Sequence, residues 1–157
     1  MIKVSTRVLY GLRAIIYLGL NKDRWPISLN EIANKQNIPL RYIEQIFMKF
    51  KKGNIVKSYR GVKGGYGLID NYENLTLLEI VEVCDGRIFL AWCLNPNSKK
   101  ECLILEDCIL ANIFRGIGES LRSYLAGVKL RDILNEAQKT DFLKLLELAS
   151  FGNFRQT

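Results

Sequence analysis

Between residues 5 and 21 the apolar positions Val8, Leu12, Ile15, Ile16 and Leu20 recur at helical spacing, which predicts an amphipathic helix with Ser5 or Thr6 as its N-cap. Ser28-Leu29-Asn30-Glu31 reads as a capping box, serine oxygen and glutamate satisfying each other's backbone amides, and opens a short helix through Lys35. Gln36-Asn37-Ile38-Pro39 then makes a turn. Pro39 suits a first helical position, and Leu40, Ile43, Ile46, Phe47 and Phe50 form the buried side of a third helix ending at Gly53-Asn54. Two β-prone runs follow, 55–59 and 66–69, joined by Arg60-Gly61-Val62-Lys63-Gly64-Gly65. Glycines permit the reversal, so a hairpin with two cations at its tip is predicted. Residues 74–85 return to helical spacing, with Leu77, Ile80, Val81 and Cys84 on the apolar side. A long one-sided helix is predicted over 107–126, carrying Leu110, Ile113, Phe114, Ile117, Leu121 and Leu125 and ending at Gly127. Shorter helices are expected at 130–135 and from about residue 141 to 150.

Composition narrows the class. The chain has 157 residues, 48% hydrophobic and 25% charged, which excludes a disordered protein and a membrane-spanning one. The apolar run 8–20 is broken by Arg13, is too short to cross a bilayer and lacks a small-residue cleavage site, so a cytoplasmic protein without membrane contact is expected. Thiols stay reduced there. Four cysteines therefore point to metal binding, redox chemistry or core packing rather than disulfides. Net charge is +7 but unevenly placed: residues 1–70 hold 13 Lys and Arg against four acids, and residues 71–157 hold 10 against 12. The basic half is the candidate polyanion-binding half.

On the predicted helix 39–53 the side opposite the core carries Arg41, Glu44, Gln45, Met48, Lys49 and Lys52. Such a stripe is either an ordinary solvent face or one that lies in a DNA major groove. In the groove the cations would hold phosphates while Arg41, Glu44 and Gln45 offer hydrogen bonds to base edges. The hairpin favours the groove, since a wing bearing Arg60 and Lys63 could reach the adjacent minor groove or backbone. A phosphate-binding loop of nucleotide enzymes is excluded, because no helix N-terminus follows the glycines.

Several short signatures now converge: Ser5-Thr6-Arg7, Tyr10-Gly11-Leu12-Arg13-Ala14, Ser28-Leu29 with Glu31-Ile32-Ala33, Tyr42-Ile43-Glu44-Gln45-Ile46, Val56-Lys57-Ser58, Arg60-Gly61 and Gly64-Gly65-Tyr66. In this order they resemble the Rrf2 family of bacterial winged-helix transcriptional regulators, over nearly the whole chain. The resemblance implies a mainly α fold with a small β-hairpin wing. A winged helix-turn-helix DNA-binding domain would occupy 1–73, and 74–157 would hold a connecting helix, a cysteine loop at about 93–108, the long dimerisation helix and a tail. It also implies a homodimer on a palindromic double-stranded operator, its interface formed by Leu110, Ile113, Phe114, Ile117, Leu121 and Leu125. Ser28, Arg41, Tyr42, Glu44, Gln45, Lys49 and Lys52 would serve the groove, and Arg60, Lys63, Gly64, Gly65 and Tyr66 the wing.

Cys93, Cys102 and Cys108, with eight and then five residues between them, match the family's three cluster cysteines. Thiolates are the normal ligands of iron–sulfur clusters. The resemblance thus implies a cluster held by these three, in a sensor of iron, redox state or nitric oxide. Cys84, on a predicted apolar face, reads as core. Family members complete the site with a histidine three residues after the third cysteine or an aspartate in the first helix. Here the former place is Ala111, the chain has no histidine, and no acid precedes Asp23. Glu101, Glu106, Asp107, Cys84, an external ligand or an open iron remain, and three thiolates with one open iron suit 4Fe–4S better than 2Fe–2S. The family also contains a cluster-free regulator of cysteine metabolism, so control by a protein partner or by thiol oxidation is the alternative. A third possibility is an iron–sulfur or scaffold protein whose basic face meets an acidic partner instead of DNA. An enzyme is not expected: no histidine serves acid–base work, no nucleophile has a paired base, and the carboxylates fall at helical-surface spacing.

Overall fold

The computed structural model describes residues 4–99, 102 and 105–140. Six helices and one hairpin follow in the order α1 (Thr6–Leu20), α2 (Leu29–Gln36), α3 (Leu40–Lys52), β1 (Val56–Tyr59), β2 (Gly65–Leu68), α4 (Leu77–Asp85), α5 (Ile109–Gly127) and α6 (Leu130–Lys139). This is the expected mainly α fold with a β-hairpin wing. The tail helix expected at 141–150 lies outside the described residues.

Local chemistry sets the boundaries. Ser5 caps α1 by accepting from the Val8 amide at 3.1 Å. Asn37, in the left-handed region at φ 49°, ends α2. Pro39 is the N-cap of α3 rather than its first helical residue, and its carbonyl accepts from the Tyr42 and Ile43 amides. The predicted box at Ser28 and Glu31 is only half made: Ser28 Oγ accepts from the Glu31 amide at 3.2 Å. The Glu31 carboxylate instead accepts from Tyr17 Oη at 2.9 Å and Arg24 Nη2 at 2.7 Å. A guanidinium and a phenol outbid a neutral amide for a carboxylate. A complete box opens α4, between Thr76 and Glu79.

The core is built from α1 to α4, the hairpin and α6, and α5 adds no residue to it. Ile15 and Leu18 of α1, Ile32 of α2, Ile43, Ile46, Phe47 and Phe50 of α3, Ile80 and Cys84 of α4 and Leu130 of α6 are all buried in one cluster. Central α1 touches α2, α3, α4 and α6. Two backbone bonds, Leu77 N to Val128 O at 2.8 Å and Leu130 N to Leu75 O at 2.7 Å, tie the end of α5 to the start of α4.

Candidate functional site

The outer side of α3 presents Arg41, Glu44, Gln45, Met48 and Lys52 to solvent, while Ile43, Ile46, Phe47 and Phe50 hold the inner side at 0–1% exposure. One helix thus has a closed face and an open one. Tyr42 is half-buried, its ring edge-on to Tyr10 at 5.5 Å. Lys49 behaves differently from the rest of the stripe: its amine donates to the Cys84 carbonyl at 2.5 Å. Arg7 Nη1 donates to the same carbonyl at 3.4 Å and to Asp85 Oδ1 at 3.0 Å. Cations here satisfy the Cys84 carbonyl and the negative dipole end of α4.

The wing stands beside this helix. β1 and β2 pair antiparallel from Val56–Leu68 to Tyr59–Gly65. Ile27, just before Ser28, adds a bridge by exchanging backbone hydrogen bonds with Tyr66 at 2.8 and 2.9 Å. A Cβ on Gly65 would stand 2.5 Å from the Ile27 carbonyl oxygen, so only glycine permits this approach. Tyr66 packs edge-on against Phe47 at 5.0 Å and fastens the wing to α3. Arg60 and Lys63 stay exposed at the tip, and half-buried Gly64 lies so close to the Tyr59 carbonyl oxygen that a Cβ would stand 2.5 Å from it. Lys57 pairs with Asp70 lower on the hairpin. Ser28 spends its hydroxyl on the α2 cap.

Helix α5 carries an apolar face that the described chain leaves open. Leu110, Ile113, Phe114 and Ile117 are 38–59% exposed, and Ile109 and Tyr124 extend the face. Leu121 and Leu125 are half-buried. Ala111 and Gly118 are buried on the flanking side, where Arg122 pairs with Glu82 of α4.

The cysteines divide into two kinds. Cys93 sits in a 3-10 turn, Trp92–Leu94, Cys102 lies in the loop, and Cys108 is the N-cap residue of α5; all three are half-buried and free. Cys84 is fully buried, and burial pushes its thiol up to about 12, with Asp85 adding to the rise and Lys49 and Arg7 opposing it. Among the described residues no three cysteine or carboxylate side chains stand together as a metal site. Glu106 and Asp107 are exposed, and Glu101 lies outside the described residues.

Two features escaped the sequence reading. Lys49 shares its helical period with the solvent stripe, so nothing in the pattern separates it. The Ile27 bridge is a single β-branched residue between Pro26 and a cap, too short a signal for a strand.

Comparison with known proteins sets this geometry in context. A family model described as Rrf2, iron-dependent transcriptional regulator, matches residues 4–136. The HTH-type transcriptional regulator IscR of Klebsiella pneumoniae is 26% identical over 139 residues, covering 88% of this chain and 83% of its own length. Among solved structures, IscR of T. potens superimposes with a TM-score of 0.70 at 27% identity, covering 88% of this chain and 90% of that one. CymR, the global cysteine regulator of B. subtilis, gives 0.66 at 27% identity, covering 87% and 98%. Among the described residues no helix is long and apolar enough to cross a membrane. These are regulators of transcription and not enzymes, and with the family model spanning the wing, the α3 face and α5 alike, the chain belongs to the Rrf2 family of transcriptional regulators.

Proposed function

We propose that this regulator binds a palindromic operator as a homodimer, with α3 in the major groove and the wing tip at the adjacent minor groove. The observation that carries it is the two-sided α3, closed on the core and open at Arg41, Glu44 and Gln45, with Arg60 and Lys63 exposed on the hairpin anchored beside it. Arg41 and Lys52 would bond phosphates or a guanine edge, and Glu44 and Gln45 would accept from or bond base edges. Ser28, Tyr42, Gly64, Gly65 and Tyr66 would complete the DNA-facing surface, with Gly65 and Tyr66 also fastening the wing beside α3. The open apolar face of α5 would close against a second copy, because a patch of this size is costly in water. Two heads then read half-sites about 34 Å apart. Selection of duplexes from a random-sequence pool tests the reading: a palindromic consensus whose affinity falls steeply with salt supports it, and sequence-independent binding counts against it.

For the sensor, the donor chemistry fits an iron–sulfur cluster held by Cys93, Cys102 and Cys108. Each is free and within reach of solvent, whereas Cys84 is sealed and protonated. Three thiolates favour 4Fe–4S over 2Fe–2S. Such a cluster would supply a centre responsive to iron supply, oxidants or nitric oxide. The chain's own part is to hold that loop between Gly86, where α4 ends, and Cys108, where α5 begins. Gain or loss of order in the loop thereby bears on α5 and on the spacing of the two heads. A cluster-free regulator responding to thiol oxidation or a protein partner is the second reading. It is favoured by the likeness to CymR and by the three thiols not being assembled as a metal site among the described residues. Iron and sulfide analysis of anaerobically purified protein decides: Cys→Ala at 93, 102 or 108 should each abolish bound iron, and protein that never retains iron after reconstitution supports the second reading.

A further inference from the structure

On a helix of about 3.6 residues per turn, Glu44, Met48, Arg41, Lys52 and Gln45 span an arc of roughly 100°, and Met48 falls near its middle. It is 65% exposed, the one large apolar side chain among these five. Its neighbour Lys49, the group that would otherwise serve the third turn, has its amine on the Cys84 carbonyl. The centre of the reading face is therefore a thioether, set among groups able to hold phosphates.

We propose that Met48 is a specificity-determining residue that packs against the 5-methyl group of a thymine in each half-site. The proposal rests on α3 being the groove helix. Thymine is the one base whose major-groove edge presents a methyl group, so an apolar side chain can discriminate for it where hydrogen bonds cannot. Methionine suits this contact because it is unbranched, flexible and polarizable, and adapts to the slope of the groove. Arg41, Lys51 and Lys52 on α3 and Arg60 and Lys63 on the wing, all exposed, supply the electrostatic attraction. Met48 is thus free to contribute selectivity rather than affinity for DNA in general.

The test removes single methyl groups from the DNA. A duplex selected from a random pool by the wild-type protein is remade with deoxyuridine replacing each thymine in turn, symmetrically in both half-sites. At one thymine position wild-type binding should weaken about fourfold per half-site, the worth of one methyl-sized group taken out of water. Met48→Ala should bind thymine and uracil duplexes equally while keeping the wild-type salt dependence. Met48→Gln, which keeps side-chain length and helix propensity, should also lose the discrimination, with helix content checked by circular dichroism. The proposal is overturned if no uracil substitution weakens the wild type, or if Met48→Ala discriminates as strongly as the wild type. Failure of the wild type to select any duplex overturns the groove reading of α3 itself, and the thymine contact with it.

Discussion

Glycine 11 shows how one atom governs the junction of three helices. A Cβ there would come 2.9 Å from Cys84 Sγ and 2.9 Å from Phe50 Cζ. Gly→Ala inside a helix ordinarily stabilises by about 0.5–1 kcal/mol. Here the sign reverses. Gly11→Ala should destabilise by roughly 1–3 kcal/mol through overpacking, read as a lower urea midpoint. Cys84→Ala alone should cost about 1 kcal/mol for the lost sulfur. The double variant should lose less than the two together, since removing Sγ relieves one of the two collisions. A strictly additive result would show that Phe50 alone resists the methyl. Burial has a second consequence for Cys84. With its ordinary value at 9.0 and its folded value about 12, the folded chain keeps the proton longer than the unfolded chain. Stability from this group is complete below pH 9.0 and is lost as pH rises from there through about 12. At about pH 8, iodoacetamide should label Cys93, Cys102 and Cys108 in the folded, cluster-free protein and reach Cys84 only on unfolding. Native labelling of Cys84 would contradict its sealed position.

Among the elements, α3 and α4 are joined by a lysine that the pattern of residues assigns elsewhere. If Lys49 serves the end of α4, Lys49→Met should lower stability by about 1–2 kcal/mol, the range of a hydrogen bond to a charged group partly open to water. The salt slope of operator binding should be unchanged, whereas loss of a phosphate contact would reduce it by about one. Arg60→Ala on the wing should do the reverse, leaving the urea midpoint in place and weakening specific binding by about 1–3 kcal/mol. A stable Lys49→Met protein with a reduced slope would return Lys49 to the DNA. The contrast marks what the sequence could convey. Periodicity and caps placed α1 to α5 and the hairpin to within a few residues, because apolar spacing reports which side of an element meets the core. The family signatures pointed to the outer side of α3 as the proposed reading face. Periodicity is blind to long-range partners: the Cys84 carbonyl is 35 residues from Lys49, and Glu31 forsakes its own cap for Tyr17 and Arg24. It also cannot state whether three thiols separated by eight and five residues converge.

At the scale of the whole molecule, these contacts form a continuous path from the open face of α5 to the proposed reading face of α3. Arg122 of α5 pairs with Glu82 of α4, the Val128 carbonyl bonds the first amide of α4, and the last turn of α4 is gripped by Lys49 of α3 and Arg7 of α1. Burial against a second copy would fix α5, and through α4 it would fix the angle at which each α3 is offered to DNA. Ile117, 45% exposed near the middle of the apolar face, is the position where this can be broken without touching the core. Ile117→Asp would force a charge into the closed interface at a cost of several kcal/mol, yet leaves the isolated chain's own packing intact. Sedimentation should find a monomer with native helix content, and its affinity for the selected palindrome should fall to that for a single half-site. An intact dimer would mean that the interface lies elsewhere and that the open face of α5 serves another partner.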